Sequence, residues 1–200
     1  EDEHEKFQFG LSRIADIPLF IDEQGALRIE DVRRKARQVQ RETGGRLGLV
    51  VIDFLQLMVA DGENRTREMT AITGALKALA KELRCPIIAL SQLNRSVANR
   101  PNKRPVMADL RESGSIEQDA DVIWALYRDE QYNPDSMDKG LAELLWLKNR
   151  YGDGSGMTPL VWTAPCVRFD SMFGEMPSAA AERGGESAGK GGKGFDGGRF

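Results

Sequence analysis

The segment LGLVVID, residues 47–53, constrains the fold of this chain more than any other. Its run of apolar residues predicts a buried strand, and such continuous runs are typical of parallel sheets that are covered on both faces. The strand ends at Asp53, and the chain then continues with the apolar segment FLQLM. A carboxylate at this position is costly to desolvate unless it caps a turn or faces a cation. Because no polar turn follows, we favour a cation.

Helices and strands are expected to alternate along the rest of the chain. We predict a short helix in residues 1–16, a strand at PLFID (18–22) and a helix from Ile29 to the pair Gly44-Gly45. A further helix ends before Pro86. Its predicted inner face is formed by Met69, Ile72, Leu76, Leu79 and Leu83.

Three more strands are predicted at 86–92, 122–127 and 165–170, and YGDGSG joins two strands as a hairpin whose glycines allow positive φ. This order predicts an α/β domain with a mainly parallel sheet flanked by helices. From Glu175 the composition changes, and residues 175–200 are expected to form a disordered, glycine-rich tail.

The composition describes an ordinary soluble protein, with 40% apolar and 30% charged residues. No apolar run approaches the roughly 20 residues needed to cross a bilayer. Cys85 and Cys166 lie far apart in apolar segments, which indicates reduced thiols and a cytoplasmic location. His4 is the only histidine, which argues against structural zinc. A net charge of −3 excludes a uniformly basic nucleic-acid coat but not a local basic rim.

Two polar residues follow predicted neighbouring strands, Asp53 after the first and Gln92 after PIIALSQ. In open parallel sheets, ligands lie beyond the carboxyl ends of the strands. An apolar run that ends in Asp is the Walker B pattern, in which the aspartate orients Mg²⁺ beside the phosphates of a nucleotide. The amide of Gln92 can bridge a phosphate or an attacking water, or it can simply pair with backbone at the strand end.

Lys148 and Arg150 lie two residues apart where the predicted hairpin strand meets its turn. Residues at this spacing lie on the same side of a strand. A hairpin that projects two cations outward suits insertion into the active site of a neighbouring subunit, where an arginine meets charge on the transferred phosphoryl group. A solvated hairpin rim is the alternative.

A basic segment and a glycine between two serines lie in the long connection at 93–119. RSVANRPNKRP (95–105) contains four cationic residues and no acid, and DLRESGSIEQDAD (109–121) contains Gly114. Open backbone N–H groups near this glycine could bind a phosphate. The alternatives are a solvated loop for the first segment and a helix start capped by Ser113 or Ser115 for the second.

Together these segments resemble the C-terminal motor domain of the bacterial replicative DNA helicases of the DnaB type. The resemblance covers roughly residues 10–170. The segments that carry it are VVIDFLQLM, ENRTRE, ALAKEL with PIIALSQLNRSV, KRPVMADLRESGSIEQDADVI, YRDEQYNPD and LKNRYG. The segment DLRESGSIEQDAD is long and specific.

The resemblance implies the C-terminal half of a RecA-like ATPase fold with a terminal β-hairpin, and a homohexameric ring that binds ATP with Mg²⁺ at each subunit junction. It also implies 5′→3′ translocation on single-stranded DNA, unwinding of the fork, and primase and a helicase loader as partners. By position, Asp53 matches the Walker B aspartate, which is also the magnesium ligand. Gln92 matches the glutamine that senses the state of the nucleotide.

Further functional positions are implied by the resemblance alone. Arg150 matches the arginine finger that reaches the γ-phosphate bound by a neighbour, with Lys148 beside it in the same role. The loop that lines the central channel and holds the DNA backbone is matched by Arg111, Glu112 and Gly114. The polar loop at 59–66 resembles the other channel-facing loop of the family.

The chain departs from the family pattern in two places. It contains no G-x-x-x-x-G-K-[ST] phosphate loop, which in the family lies upstream of the matched segment. We therefore expect residues 1–174 to be a partial RecA-like domain, and we expect the 200 residues alone to lack ATP turnover. In addition, YGDGSG replaces the usual NGPxG turn and is one residue longer.

Two other functions stay open. One is a different RecA-like DNA-dependent ATPase, such as a recombinase or a clock-type ring, although DLRESGSIEQDAD argues against it. The other is a truncated, non-catalytic homologue that assembles with complete subunits or binds DNA passively, which the missing phosphate loop favours for these residues. A GKT or GKS motif in the coding sequence just upstream would restore the enzyme.

Overall fold

The computed structural model of the chain describes residues 2–15, 17–110, 113–152 and 154–172. These residues form four α-helices and six β-strands. In chain order the elements are α1 (Asp2–Ala15), α2 (Ile29–Glu42), β1 (Val50–Ile52), α3 (Arg65–Leu83), β2 (Ile87–Ala89), α4 (Ser113–Asp119), β3 (Val122–Tyr127), β4 (Leu141–Asn149), β5 (Gly156–Thr163) and β6 (Arg168–Ser171). The α/β class and the terminal hairpin are confirmed. The predicted tail at 175–200 lies outside the described residues.

Helix α3 is the centre of the main core, and all five apolar residues predicted for its inner face are buried. The helix begins after Asn64, whose side-chain Oδ1 accepts a hydrogen bond from the backbone N of Arg67 at 3.0 Å. This bond satisfies one of the N–H groups that a helix start leaves without a partner. Each fully buried apolar side chain stabilises the fold by about 1.5–3 kcal/mol, so α3 fixes the elements that pack on it.

Strands β1 and β2 form a parallel pair in which Val50, Val51 and Ile52 lie opposite Ile87, Ile88 and Ala89. One face of the pair packs against the core around α3. On the other face, Val51 is 57% and Ile88 is 40% exposed. Cover on both faces was predicted; within the described residues only one face is covered, because α3 packs on that side alone.

Strands β3 to β6 form an antiparallel sheet in sequence order. The antiparallel part of the fold is therefore larger than the sequence predicted. The apolar run of β3 gave no sign of its direction, but the connection to β4 contains no crossover helix, so the chain returns antiparallel. The hairpin between β4 and β5 has Gly154 at φ +84°, as the turn sequence predicted.

The prediction of a strand at PLFID is wrong. Residues 18–24 have no ladder pairing with the described strands, and Phe20 and Ile21 are 52% and 77% exposed. An apolar run becomes a strand only where a neighbouring edge accepts its backbone hydrogen bonds, and sequence does not show that edge. The helix predicted for residues 1–16 is confirmed as α1, and the strand predicted at 165–170 is confirmed as β6 with a later start.

Within the part of the chain that the structure describes, no helix combines the length and the apolar character needed to span a lipid bilayer.

Candidate functional site

Asp53 lies directly after β1, at the carboxyl edge of the parallel pair. The segments that follow β1 and β2 remain joined by backbone hydrogen bonds. The backbone N of Leu90 donates to Ile52 O at 2.9 Å, and that of Leu55 donates to Leu90 O at 2.9 Å. These bonds bracket Asp53 and fix its backbone, while the residue itself is exposed. An exposed carboxylate is not desolvated and can meet a ligand from solvent.

The apolar residues after Asp53 anchor this edge to the core. Leu55 and Met58 are each 3% exposed and belong to the main core. Arg65, at the start of α3, donates Nη2 to Gln56 O at 2.9 Å and Nη1 to Met58 O at 3.2 Å. The N-cap of the short 3₁₀ turn Leu55–Leu57 is Phe54. Asp53 therefore does not cap this turn, and its exposed carboxylate is open to a cation from solvent.

Gln92 lies at the same edge, three residues beyond the end of β2, and is exposed. Its backbone N donates to Gln56 Oε1 at 3.2 Å, and Gln56 Nε2 donates to Ser91 Oγ at 3.0 Å. Gln56 thus ties the segment after β1 to the segment after β2. The structure brings Asp53 and Gln92 to one edge, as the strand order predicted. Sequence reasoning missed Gln56, because nothing in FLQLM shows that its amide faces the next strand.

The donor set at this edge fits a magnesium ion that is shared with phosphates. Mg²⁺ keeps several waters and commonly takes one or two carboxylates together with the oxygens of substrate phosphates. Asp53 supplies such a carboxylate. Among the residues that the structure describes, no group of three or more His, Cys, Asp and Glu side chains is placed to hold a metal ion.

Lys148, near the end of β4, is bonded to the end of helix α4. Its Nζ donates to the backbone O of Glu117 and to Ala120 O at 2.7 Å. The last carbonyl groups of a helix lack intrahelical donors and carry partial negative charge. A lysine at this position therefore satisfies two of these carbonyl groups.

Arg150 binds the same helix end. Its Nη1 donates to Asp121 Oδ1 at 3.0 Å, its Nη2 donates to Gln118 O at 3.0 Å, and its backbone N donates to Asp121 O at 2.8 Å. The sequence predicted that Lys148 and Arg150 project outward from the hairpin. In this structure both side chains fold back onto their own subunit, because α4 offers acceptors that strand periodicity does not reveal.

Two side chains of α3 bind the carboxylates at the end of α4. Thr73 Oγ1 donates to Asp119 Oδ2 at 2.6 Å, and Lys77 forms a hydrogen-bonded ion pair with Asp121. The hydrogen bond from Lys77, and the charges of Lys77 and Arg150, hold the pKa of the Asp121 carboxyl below its usual range, although burial opposes the shift. Asp121 therefore stays ionised between two cations. Sequence reasoning quoted this aspartate only within the family segment and gave it no role.

Of the predicted DNA-contacting residues, Arg111 and Glu112 lie outside the described residues. Gly114 is exposed in the first turn of α4, and a Cβ built at this position would meet no heavy atom of the described residues within 4 Å beyond its chain neighbours and its own helix. Among the described residues, nothing else packs in front of Gly114. Ser115 is buried inside the helix, so it does not cap the helix start.

Hydrogen bonds to Asp109 fix the segment that precedes the predicted DNA-contacting residues. Asp109 is 5% exposed, and its Oδ2 accepts hydrogen bonds from Arg100 Nη2 and from the backbone N of Val106, each at 2.7 Å. Its backbone O accepts from Asn94 N at 2.7 Å. These bonds close the loop between residues 94 and 109, which ends just before the proposed DNA-contacting residues.

A second ion pair ties the basic segment to the sheet. Arg104 donates from Nε and Nη2 to the two carboxylate oxygens of Glu143 at 2.7 and 2.6 Å, and both side chains are under a tenth exposed. The guanidinium lies 4.8 Å from the ring centroid of Tyr127. The alternative of a solvated loop is therefore wrong for Arg100 and Arg104, which form ion pairs with Asp109 and Glu143.

The comparisons with known proteins agree on one family. The sequence profile described as the DnaB-like helicase C-terminal domain matches residues 1–171. Replicative DNA helicase DnaB of Pasteurella multocida is 53% identical over 156 residues, which is 77% of this chain and 33% of that protein. The corresponding helicase of Geobacillus stearothermophilus is 47% identical over 150 residues, or 74% of this chain and 33% of that protein. The chain thus spans about a third of the length of these relatives.

Solved structures give the same result for the fold. One solved ATPase domain superposes with a TM-score of 0.81 at 35% identity, covering 86% of this chain and 61% of that one. A DnaB-like replicative helicase, studied together with its interactions with primase, also gives 0.81 at 35% identity, covering 86% of this chain and 42% of that one. The RecA-like helicase fold inferred from the sequence is therefore confirmed, and the chain belongs to the DnaB-like helicase C-terminal domain family.

Proposed function

We propose that this chain is part of a replicative, ATP-dependent DNA helicase that unwinds duplex DNA by 5′→3′ translocation on a single strand. The observation that carries this proposal is the family match over residues 1–171, together with the position of Asp53 and Gln92 at one carboxyl edge of a parallel strand pair. In sheets of this kind, nucleotides bind at that edge.

Bound Mg²⁺-ATP supplies a phosphoryl group whose negative charge must be stabilised during transfer. Asp53 would hold the magnesium ion and its waters, and its backbone is restrained by hydrogen bonds on both sides. Gln92 contacts the γ-phosphate or the attacking water through its side-chain amide. Gln56 links the segments after β1 and β2 and so connects the two residues that would face the nucleotide.

Lys148 and Arg150 act on the nucleotide of a neighbouring subunit in a homohexameric ring. A cation contributed across a subunit junction makes hydrolysis depend on how two subunits are arranged, and such an arginine can accelerate turnover by about 10³–10⁵-fold. This role requires both side chains to leave the α4 contacts seen in the single chain.

Arg111, Glu112 and Gly114 contact the backbone of the single strand in the central channel. The open surface at Gly114 allows the chain to approach a phosphate closely. Contacts of this kind position the strand without reading its sequence. Primase, with which one structural neighbour is described as interacting, and a helicase loader are the proposed protein partners.

The decisive test is strand displacement by the full-length protein on a forked duplex with a 5′ single-stranded tail. We expect ATP-dependent displacement that is lost when the tail is 3′ only, and lost again in the Arg150→Ala variant. ATP turnover stimulated by single-stranded DNA without displacement of any fork would instead indicate a RecA-like ATPase that does not unwind.

A further inference from the structure

The turn between β4 and β5 presents a large aromatic side chain to solvent. Tyr151 is 81% exposed and directly follows Arg150, whose own side chain lies against α4. Single exposed apolar residues are common on protein surfaces and by themselves indicate nothing. What distinguishes Tyr151 is its place in the turn and the surface that the proposed ring brings to it.

The backbone of Tyr151 is held by the residues on either side of it. Its N donates to Asn149 Oδ1 at 3.2 Å. A Cβ at Gly152 would lie 2.3 Å from Asn149 Nδ2, so any side chain there would displace the Asn149 amide that makes this bond. A residue held in place before binding loses less conformational entropy when it binds, and tyrosine has only two side-chain torsions to fix. The turn therefore presents the Tyr151 ring on a restrained backbone.

The edge that contains Asp53 offers apolar surface next to its carboxylate. Leu90 forms the two backbone hydrogen bonds that bracket Asp53, and its residue is 45% exposed in the described part of the chain. Leu57, in the short turn that follows Asp53, is 53% exposed. An aromatic ring can bury apolar area against such leucines, and tyrosine is enriched among the residues that anchor interfaces.

The proposed function brings these two surfaces together. Consecutive Cα atoms lie about 3.8 Å apart, so an Arg150 that reaches phosphates beside the Asp53 of a neighbour carries Tyr151 to the same edge. The base of a nucleotide is separated from its γ-phosphate by two further phosphates and the ribose. A side chain next to the γ-phosphate contact therefore faces the protein edge and not the base.

We propose that Tyr151 anchors the subunit junction by packing its ring on Leu57 and Leu90 of a second copy of this chain. This inference rests on the proposed function, in which Arg150 acts on the nucleotide of that copy. Tyr151 lies in YGDGSG, the turn in which this chain departs from the NGPxG pattern of the family. The contact is therefore a property of the hairpin of this chain.

Photochemical crosslinking in the full-length ring tests the contact directly. With p-benzoylphenylalanine in place of Tyr151, irradiation should join neighbouring subunits, and mass spectrometry should locate the crosslinks in residues 54–59 or 90–93 of the second copy. The matched control has the same probe at Met137, which is 84% exposed but lies outside the hairpin. Absence of crosslinked dimers from position 151, or equal yields from both positions, would overturn the proposal.

Dilution of full-length rings, followed by mass photometry, measures what the contact contributes. In Tyr151→Asn, the protomer concentration at which half of the rings dissociate should rise at least about tenfold, as expected when an interface anchor is truncated. Tyr151→Phe keeps the ring surface and should stay within about twofold of the wild type. Unchanged dissociation in Tyr151→Asn would overturn the proposal, and a higher KM for ATP without increased dissociation would instead indicate stacking on the base.

The variant Arg150→Ala separates this contact from the proposed function. The probe at position 151 should still join subunits in that variant, because the packing of the ring does not need the guanidinium. Intersubunit crosslinks together with wild-type ATP turnover in Arg150→Ala would reject the finger role and support the Tyr151 contact. Strongly reduced turnover in Arg150→Ala, without crosslinks from position 151, would overturn the Tyr151 contact alone.

Discussion

At the scale of single residues, Asp53 combines an exposed carboxylate with a backbone held on both sides by 2.9 Å hydrogen bonds. We predict that Asp53→Asn in the full-length protein lowers ATP turnover at least ~100-fold, since a magnesium ligand contributes several kcal/mol to charge stabilisation and each 1.4 kcal/mol is a factor of ten. Steady-state ATPase assays over a range of Mg²⁺ concentrations check this. Assembly of the variant should be normal, because the residue does not pack in the core.

Asp170→Asn is the matched control for this substitution. Asp170 lies on β6 in the antiparallel sheet, its side chain is 41% exposed, and it pairs with Arg168 at 2.9 Å. Its loss should leave turnover within a factor of about two, as expected for an exposed ion pair. Equal losses in the two variants would show that the effect is not specific to the strand edge.

Arg111 is the residue for which DNA binding is most directly testable. We predict that Arg111→Ala in the full-length ring weakens binding to single strands of every sequence and lowers the slope of log K against log salt concentration by about one. Titrations with fluorescent oligonucleotides at several salt concentrations check this. Weaker binding to one sequence alone would indicate base contacts and contradict the backbone role.

Some of the site residues could be predicted from the sequence, and others could not. Asp53 and Gln92 could be predicted, because strand ends in a parallel pair must share an edge. The hydrogen bonds that hold Arg150 against the end of α4 could not be predicted. Periodicity shows on which side of a strand a residue lies, but it does not show the carbonyl groups of a helix packed beside that strand. The role of Asp121 was missed for the same reason, since its two cationic partners are 44 and 29 residues away in the sequence.

At the scale of elements, the ion pair between Arg104 and Glu143 joins the segment before the proposed DNA-contacting residues to β4. The Glu143 hydrogen bond raises the pKa of the Arg104 guanidinium, so that group stays charged in its buried position. Glu143→Gln leaves this cation without its partner, and a buried charge stripped of its partner costs about 3–5 kcal/mol. We predict a matching loss of unfolding free energy.

Urea unfolding of the full-length protein, followed by tryptophan fluorescence, measures that loss, with Trp124 and Trp146 lying on β3 and β4. The double variant Arg104→Met with Glu143→Gln is the control. Removing both charges should recover most of the stability, because the cost comes from the unpaired cation. A double variant that is no more stable than Glu143→Gln would contradict this account.

The helices were easier to predict than the sheets. The apolar period of α3 predicted its inner face and Pro86 marked its end, whereas the N-cap Asn64 was not predicted. PLFID was misassigned because a strand needs a neighbouring edge. The direction of β3 was missed because parallel and antiparallel apolar strands look alike until their connections are known.

At the scale of the whole molecule, the proposed function places one catalytic centre across two subunits. Asp53 and Gln92 contribute from one side, and Lys148 and Arg150 from the next subunit. In the proposed ring of head-to-tail contacts, every subunit both contributes to one centre and completes another. On this proposal neither half of the centre works alone, so the arrangement can be tested by mixing subunits.

The most direct measurement is the ATPase rate of full-length rings assembled from equal amounts of Asp53→Asn and Arg150→Ala subunits, each inactive by itself. If the two residues act across a junction, about one junction in four of a randomly mixed ring has both native side chains. The account therefore predicts recovery of up to about a quarter of the wild-type rate. Rings that contain both variants, as shown by native mass spectrometry, and yet hydrolyse no more ATP than either parent would contradict it.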